Sequence, residues 1–174
     1  MHQKLKGSPG IYVVGFMGSG KTTIGNALAA RLGWDFVDLD DEIVERAGKS
    51  IPEVFENDGE PAFRRLESDC LKQQTRLVCT GRARVVGLGG GTFVDDQNRE
   101  MIEEAGVSIW LDATATALWE RVKAETHRPL AQNEAAFRVR LDSRKAAYAR
   151  ADFHVDATQE ISAIVAAIMD FHLI

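Results

Sequence analysis

The stretch best equipped to do chemistry is Gly15-Phe16-Met17-Gly18-Ser19-Gly20-Lys21-Thr22-Thr23, entered by the apolar run Ile11-Tyr12-Val13-Val14. It fits G-x-x-x-x-G-K-[ST], a pattern in which a strand leads into a glycine-rich loop and the loop into a helix. Glycines at 15, 18 and 20 admit positive φ and close backbone approach, so successive N–H groups can converge on phosphate oxygens. The following helix would aim its positive N-terminal end at the same anion. Lys21 is placed to reach the β- and γ-phosphates of a nucleotide, and the Thr22 hydroxyl to ligate Mg²⁺. A chance glycine turn is the competing explanation, and the strand–loop–helix context argues against it.

Three other clusters could act on something held beside a phosphate. Asp38 and Asp40 close a second apolar run at about 36–39. Side chains alternate along a strand, so these carboxylates share one side if the extended conformation persists that far. In open parallel sheets the C-terminal ends of strands are where ligands bind. One carboxylate could hold the hydration shell of Mg²⁺ while the other addresses a substrate hydroxyl. Asp40, Asp41 and Glu42 would suit a solvated helix start equally well. Phe63-Arg64-Arg65 lies near the start of a helix, where neighbours point about 100° apart, so only one arginine can face a given pocket. A lone arginine there is more often a surface residue. Gly89-Gly90-Gly91 follows a strand directly, exposing backbone N–H groups and leaving room for a ligand, or else forming a flexible turn. Asp112 closes another apolar run, as a Walker B acid would, or as a cap for the next helix.

The elements needed to position these groups read as apolar runs alternating with helical patterns, the mark of parallel strands joined by crossover helices. Strands are expected at 11–14, about 36–39, 85–88, 107–111 and 153–155. The first helix carries Ile24, Leu28 and Leu32 on one stripe and stops at Gly33. A helix at about 40–47 stops at Gly48, and Ser50-Ile51-Pro52-Glu53 reads as a capping box opening a short helix that ends near Gly59. Another helix is expected at about 60–74, then a polar loop over 75–83. Asp95 or Asp96 caps a helix that runs to Gly106. Residues 114–124 are helical and carry Arg121, and 125–133, broken by Pro129, is where a lid would be. A helix at about 134–150 follows, and the last helix is expected to bury Ile161, Ile164, Val165, Ile168 and Met169.

Composition narrows the field. At 174 residues and 45% hydrophobic content the chain suits one domain, residues 1–174. A net charge of −5 argues against a general nucleic-acid or anionic-membrane surface. Cys70 and Cys79 form no C-x-x-C or metal spacing, which reads as a reduced compartment with bystander thiols. Residues 1–10 contain no apolar core of a signal sequence and no run approaches membrane-spanning length, so a soluble cytoplasmic protein is expected.

In order along nearly the whole chain, the loop 15–23, Asp38-Leu39-Asp40, Phe63-Arg64-Arg65, Gly89-Gly90-Gly91, Arg128-Pro129-Leu130 and the 144–148 segment resemble the shikimate kinase family. The resemblance implies a three-layer α/β P-loop NTPase fold of the nucleoside-monophosphate-kinase type. Its five-stranded parallel sheet would have order 2-3-1-4-5, with a substrate-binding helical region at about 40–74 and a lid at about 125–134. It implies transfer of the γ-phosphoryl of ATP to the 3-hydroxyl of shikimate, on the route to chorismate and the aromatic amino acids.

Carried onto this sequence, the resemblance makes Asp40 a ligand of the substrate hydroxyls and the base, with Lys21 and Arg128 completing the catalytic set. Arg64, rather than Arg65, would hold the substrate together with Gly90 and Arg144. ATP would lie on Gly18, Ser19, Gly20, Lys21, Thr22 and Thr23, with Arg128 swinging over the transferred phosphate and Arg121 and Gln159 beside the adenine. Asp38 would support Mg²⁺ through water beside Thr22. Partners are then shikimate and ATP alone, and the expected state is a monomer. Against the family pattern, the 75–83 loop reads as long and the lid after Arg128 as short. A gluconate kinase on the same scaffold is the alternative enzyme, which the glycine run and the Asp-x-Asp pair disfavour. A nucleotide switch lacks its D-x-x-G and N-K-x-D sequences here, and a non-catalytic binding module has no need of so full a set of charged residues.

Overall fold

The structure is a computed structural model, which describes residues 10–123 and 133–171. Its first strand, β1 (Gly10–Val14), is apolar and buried over its whole length, as a strand covered on both faces must be. β1 lies between β3 (Arg84–Gly87) and β4 (Val107–Asp112), with Val13 opposite both Gly87 and Ile109. β2 (Asp35–Asp38) pairs with the outer side of β3, and β5 (Phe153–Asp156) with the outer side of β4. All pairings are parallel and the order is β2-β3-β1-β4-β5, as the family resemblance implied.

Helices fill the crossovers: α1 (Lys21–Leu32), α2 (Leu39–Ala47), α3 (Ile51–Cys79), α4 (Asp96–Ala105), α5 (Ala115–Val122), α6 (Glu134–Tyr148) and α7 (Ile161–Met169). Connections between parallel strands are right-handed. The step from β1 leftward to β2 therefore lays α1 on one face, where it meets α7, while the rightward steps put α3 and α4 in mutual contact on the other. Leu28 of α1, Ile168 of α7, Leu71 of α3 and Ile102 of α4 are fully buried against the sheet residues Tyr12, Val13, Val85, Val86 and Ile109. Each side chain of this kind contributes about 1.5–3 kcal/mol on burial. Asp152 closes the β4–β5 edge, its Oδ2 accepting from the Ser108 N–H at 2.8 Å and the Ser108 hydroxyl at 2.9 Å.

Several sequence expectations need correcting. The extended conformation ends at Asp38, because its Oδ1 accepts from the Asp40 N–H at 3.0 Å and caps α2, so helix begins at Leu39. Asp38 and Asp40 are thus a cap and a first-turn residue, not two alternate positions of a strand. The capping box at Ser50 and Glu53 is formed, and Gly59 (φ 80, ψ 169) breaks α3 into two segments, with Pro61 opening the second. That second segment runs to Cys79, so residues 75–79 are helical and only 80–83 connect to β3. Leu71, Gln74, Thr75 and Val78 are buried, which means the helical stripe continues although half of it is polar. Thr114, not Asp112, caps α5, and the Asp112 carbonyl instead accepts from the Ala157 N–H at 2.7 Å. α6 ends at Tyr148, two residues short of expectation. In α7 the stripe is Ile164, Val165 and Ile168, while Ile161, in the first turn, is exposed.

Candidate active site

A cavity of about 480 Å³ opens at the C-terminal ends of β1 and β2, lined by Gly18, Gly20, Lys21, Thr22, Thr23, Asp38, Asp40 and Arg121 among others. Gly18 (φ 81) and Gly20 (φ 90) are in the left-handed region, where only glycine sits without strain. Gly15 is needed for a different reason: a Cβ there would stand 2.5 Å from the Ser19 hydroxyl oxygen. Gly20 opens α1 without a side-chain cap, so the helix presents its first N–H groups to the cavity. Ser19 is buried with its side chain against Gly15, and the loop turns through its N–H, which donates to the Phe16 carbonyl at 3.2 Å. Lys21 folds back over the loop, its Nζ donating to the carbonyls of Gly15 (2.9 Å) and Phe16 (3.2 Å).

The acid side of the cavity is built by the β2–α2 junction. Thr22 Oγ1 donates to Asp38 Oδ2 at 2.7 Å, so one carboxylate both caps α2 and meets the phosphate loop. Asp40 projects from the first turn of α2, and burial first, then the nearby Asp38 carboxylate, push its pKa up to about 6 against the pull of Lys21. Among the described residues no group of three or more His, Cys, Asp or Glu forms a metal cage. A hydroxyl beside a carboxylate offers the hard oxygen donors that suit Mg²⁺ shared with phosphates.

Next to Asp40 the three glycines form a bed for side chains. None has a positive φ, so space rather than backbone freedom is what they supply. A Cβ on Gly89 would meet Asp40, Glu67 and Thr92 at 2.9–3.0 Å. One on Gly90 would stand 2.7 Å from Arg144 Nη1, and one on Gly91 2.5 Å from Arg64 Nη1. Arg64 comes from the second segment of α3, and Arg65 beside it is exposed, so the two point apart as neighbours on a helix must. Arg64 Nη1 donates to Glu67 Oε2 at 2.7 Å, and Glu67, only 1% exposed, also accepts from the Thr92 hydroxyl at 2.6 Å. Arg144, from α6, lies over the Phe16 ring at 5.3 Å. Two guanidinium groups, a carboxyl with a raised pKa and an open glycine backbone thus border one place. That set can fix a carboxylate, receive hydrogen bonds from hydroxyls and take a proton.

On the opposite rim Arg121 donates to the Gly18 carbonyl at 3.0 Å and to the Ala157 carbonyl at 2.7 Å, joining the phosphate loop to the β5–α7 turn. Gln159 lies in that turn, exposed and outside the cavity lining. Arg128 and residues 125–132 of the expected lid fall outside the described residues, while Asn133 and Glu134 cap and open α6. Glu67, Thr92, Phe16 and Tyr148 are the residues that spacing alone did not single out. Glu67 had one available signal, its position three residues after Arg64 on a helix.

A phosphate loop feeding α1, a 2-3-1-4-5 parallel sheet and a charged cleft at the strand ends define a P-loop kinase of small molecules. A sequence model of the shikimate kinase family matches residues 17–172. The shikimate kinase of Ruegeria pomeroyi is 45% identical over 155 residues, covering 87% of this chain and 77% of its own. The solved shikimate kinase of Acinetobacter baumannii, in complex with shikimate, superposes with a TM-score of 0.86 at 34% identity, over 95% of this chain and 93% of its own. A gluconokinase from Sinorhizobium meliloti, with a TM-score of 0.58 and 19% identity over 95% of this chain and 92% of its own, shares the fold alone. The chain belongs to the shikimate kinase family.

Proposed function

We propose that this chain performs the family's reaction, transfer of the γ-phosphoryl of ATP to the 3-hydroxyl of shikimate, in the cavity between the phosphate loop and the glycine bed. The observation that carries the reading is the convergence of Asp40, Arg64 and Arg144 on Gly89-Gly90-Gly91 beside Lys21. Arg64 and Arg144 clamp the shikimate carboxylate, and the side-chain-free backbone at Gly90 lets the ring lie close. Asp40 accepts a hydrogen bond from the acceptor hydroxyl and takes its proton as the phosphorus–oxygen bond forms. Gly18, Ser19, Gly20, Lys21, Thr22 and Thr23 hold the triphosphate, and Arg121 and Gln159 border the base. Arg128 belongs with Lys21 in neutralising charge on the transferred group, a role that rests on the family motif. Thr22, and Asp38 through water, would hold Mg²⁺, whose chemistry is to neutralise phosphate charge. We further take the chain as one domain and a monomer, in the cytoplasm, a reducing compartment that its two free cysteines suit.

The test is a coupled measurement of ADP release from MgATP with shikimate, with gluconate and with no acceptor. Release that requires shikimate is expected. Release with gluconate alone would leave the phosphate loop in place and discard the clamp, and release with neither would discard catalysis.

A further inference from the structure

We propose that Tyr148 is a positioning residue for shikimate: its hydroxyl holds the Gly90 turn in register with the Arg144 guanidinium and thereby sets substrate affinity. The inference rests on the reading that Gly90 and Arg144 hold shikimate. Tyr148 is the last residue of α6 and is 0% exposed. Its hydroxyl donates to the Gly90 carbonyl at 2.5 Å, across 58 residues of sequence. Gly90 also lies against Arg144, four residues before Tyr148 on the same face of the helix: a Cβ on Gly90 would stand 2.7 Å from Arg144 Nη1 and 3.7 Å from the Tyr148 oxygen. Gly90 therefore touches both Arg144 and Tyr148, and Arg144 is backed on its other side by the Phe16 ring of the phosphate loop.

A tyrosine kept only for packing would not be wired in this way. Tyr12 supplies the comparison inside the same molecule: it is equally buried, and its hydroxyl has no partner among the described residues. The Tyr148 ring does pack, against Trp110 at 6.0 Å, but its one polar atom is spent on the glycine bed. Burial pushes the phenol up to about 12, so the hydroxyl keeps its proton and its donor role through neutral and mildly alkaline pH. Removing it leaves the Gly90 carbonyl unpaired and lets the turn against which Arg144 lies shift. A phenylalanine keeps the ring and its contact with Trp110.

The experiment compares Tyr148→Phe, Tyr12→Phe and Arg144→Ala with the parent chain in steady-state kinetics against both substrates, alongside thermal unfolding. Tyr148→Phe should raise the shikimate KM about 5- to 20-fold, leave the MgATP KM and kcat within about twofold, and barely move Tm. Tyr12→Phe should change neither KM. An unchanged shikimate KM in Tyr148→Phe, or equal rises in both KM values with a lowered Tm, overturns the proposal. If Arg144→Ala raises the shikimate KM and Tyr148→Phe does not, only the role of Tyr148 fails. If Arg144→Ala leaves that KM unmoved, the assignment of the clamp fails and this proposal with it.

Discussion

At Asp40 one set of contacts has consequences for rate and for stability that run in opposite directions. Burial and the neighbouring carboxylates Asp38, Glu67 and Asp41 favour its protonated form, with Lys21 opposing, and the result is a pKa of about 6. A base must be unprotonated to act, so kcat/KM for shikimate should climb through about pH 6 and level off above it. Asp40→Asn should abolish most activity and remove that limb; a limb that persisted in the variant would assign it to another group. The sign for stability follows from the raised value. The fold favours the proton, so this side chain's contribution is fully present below about pH 4 and is lost as pH rises through about 6. At pH 7.5 Asp40→Asn should therefore be more stable than the parent chain, by about 1–3 kcal/mol, and the two should converge in acid. Lys21 and Thr22 were legible in the sequence because their types and spacing are tied to a loop of defined geometry, whereas Asp40 was singled out by the family resemblance. Glu67 was not, since an acid three residues after an arginine is common on exposed helices and only tertiary packing buries this one.

Among the elements, the glycine run ties three separate pieces of chain together. Gly91 has φ −104, which any residue adopts, so replacing it carries no backbone strain. Its Cβ would instead displace the end of the flexible Arg64 side chain. Gly91→Ala should weaken shikimate binding about 10- to 100-fold, the scale of one lost charge-assisted hydrogen-bond pair, while Tm stays within a few degrees. Calorimetric titration with shikimate checks it, and unchanged affinity would detach Arg64 from the substrate. The run was visible in the sequence, but its purpose read as exposed N–H groups or flexibility, because spacing does not reveal what packs over a glycine. The β2–α2 junction is similar: both acids reach the cavity, yet by a capped turn that periodicity could not distinguish from a continuing strand. The hidden last turn of α3 has a plain cause. Gln74 and Thr75 are polar but buried, with the Gln74 amide donating to Glu42 at 3.0 Å and its carbonyl accepting from Arg84.

For the molecule as a whole, parallel strands joined by helices followed from the alternating pattern, and their order from the family resemblance. The closest approach inside it did not. Gly106 enters β4 beside the start of β1, and a Cβ there would lie 2.1 Å from the Gly10 carbonyl oxygen, a backbone atom that cannot turn away. Gly106→Ala should lower stability by about 2–4 kcal/mol, seen as a lower urea midpoint with the slope retained. An unchanged midpoint would mean that β1 and β4 separate without cost at that end. Arg121 reaches still further, linking Gly18, 103 residues before it, to Ala157, 36 residues after it. A nascent chain on the ribosome thus exposes its entire phosphate loop while it still lacks half of this clasp. The second bond can form only when β5 has emerged and zipped onto β4, so the nucleotide rim is completed during translation only after every strand of the sheet is in place.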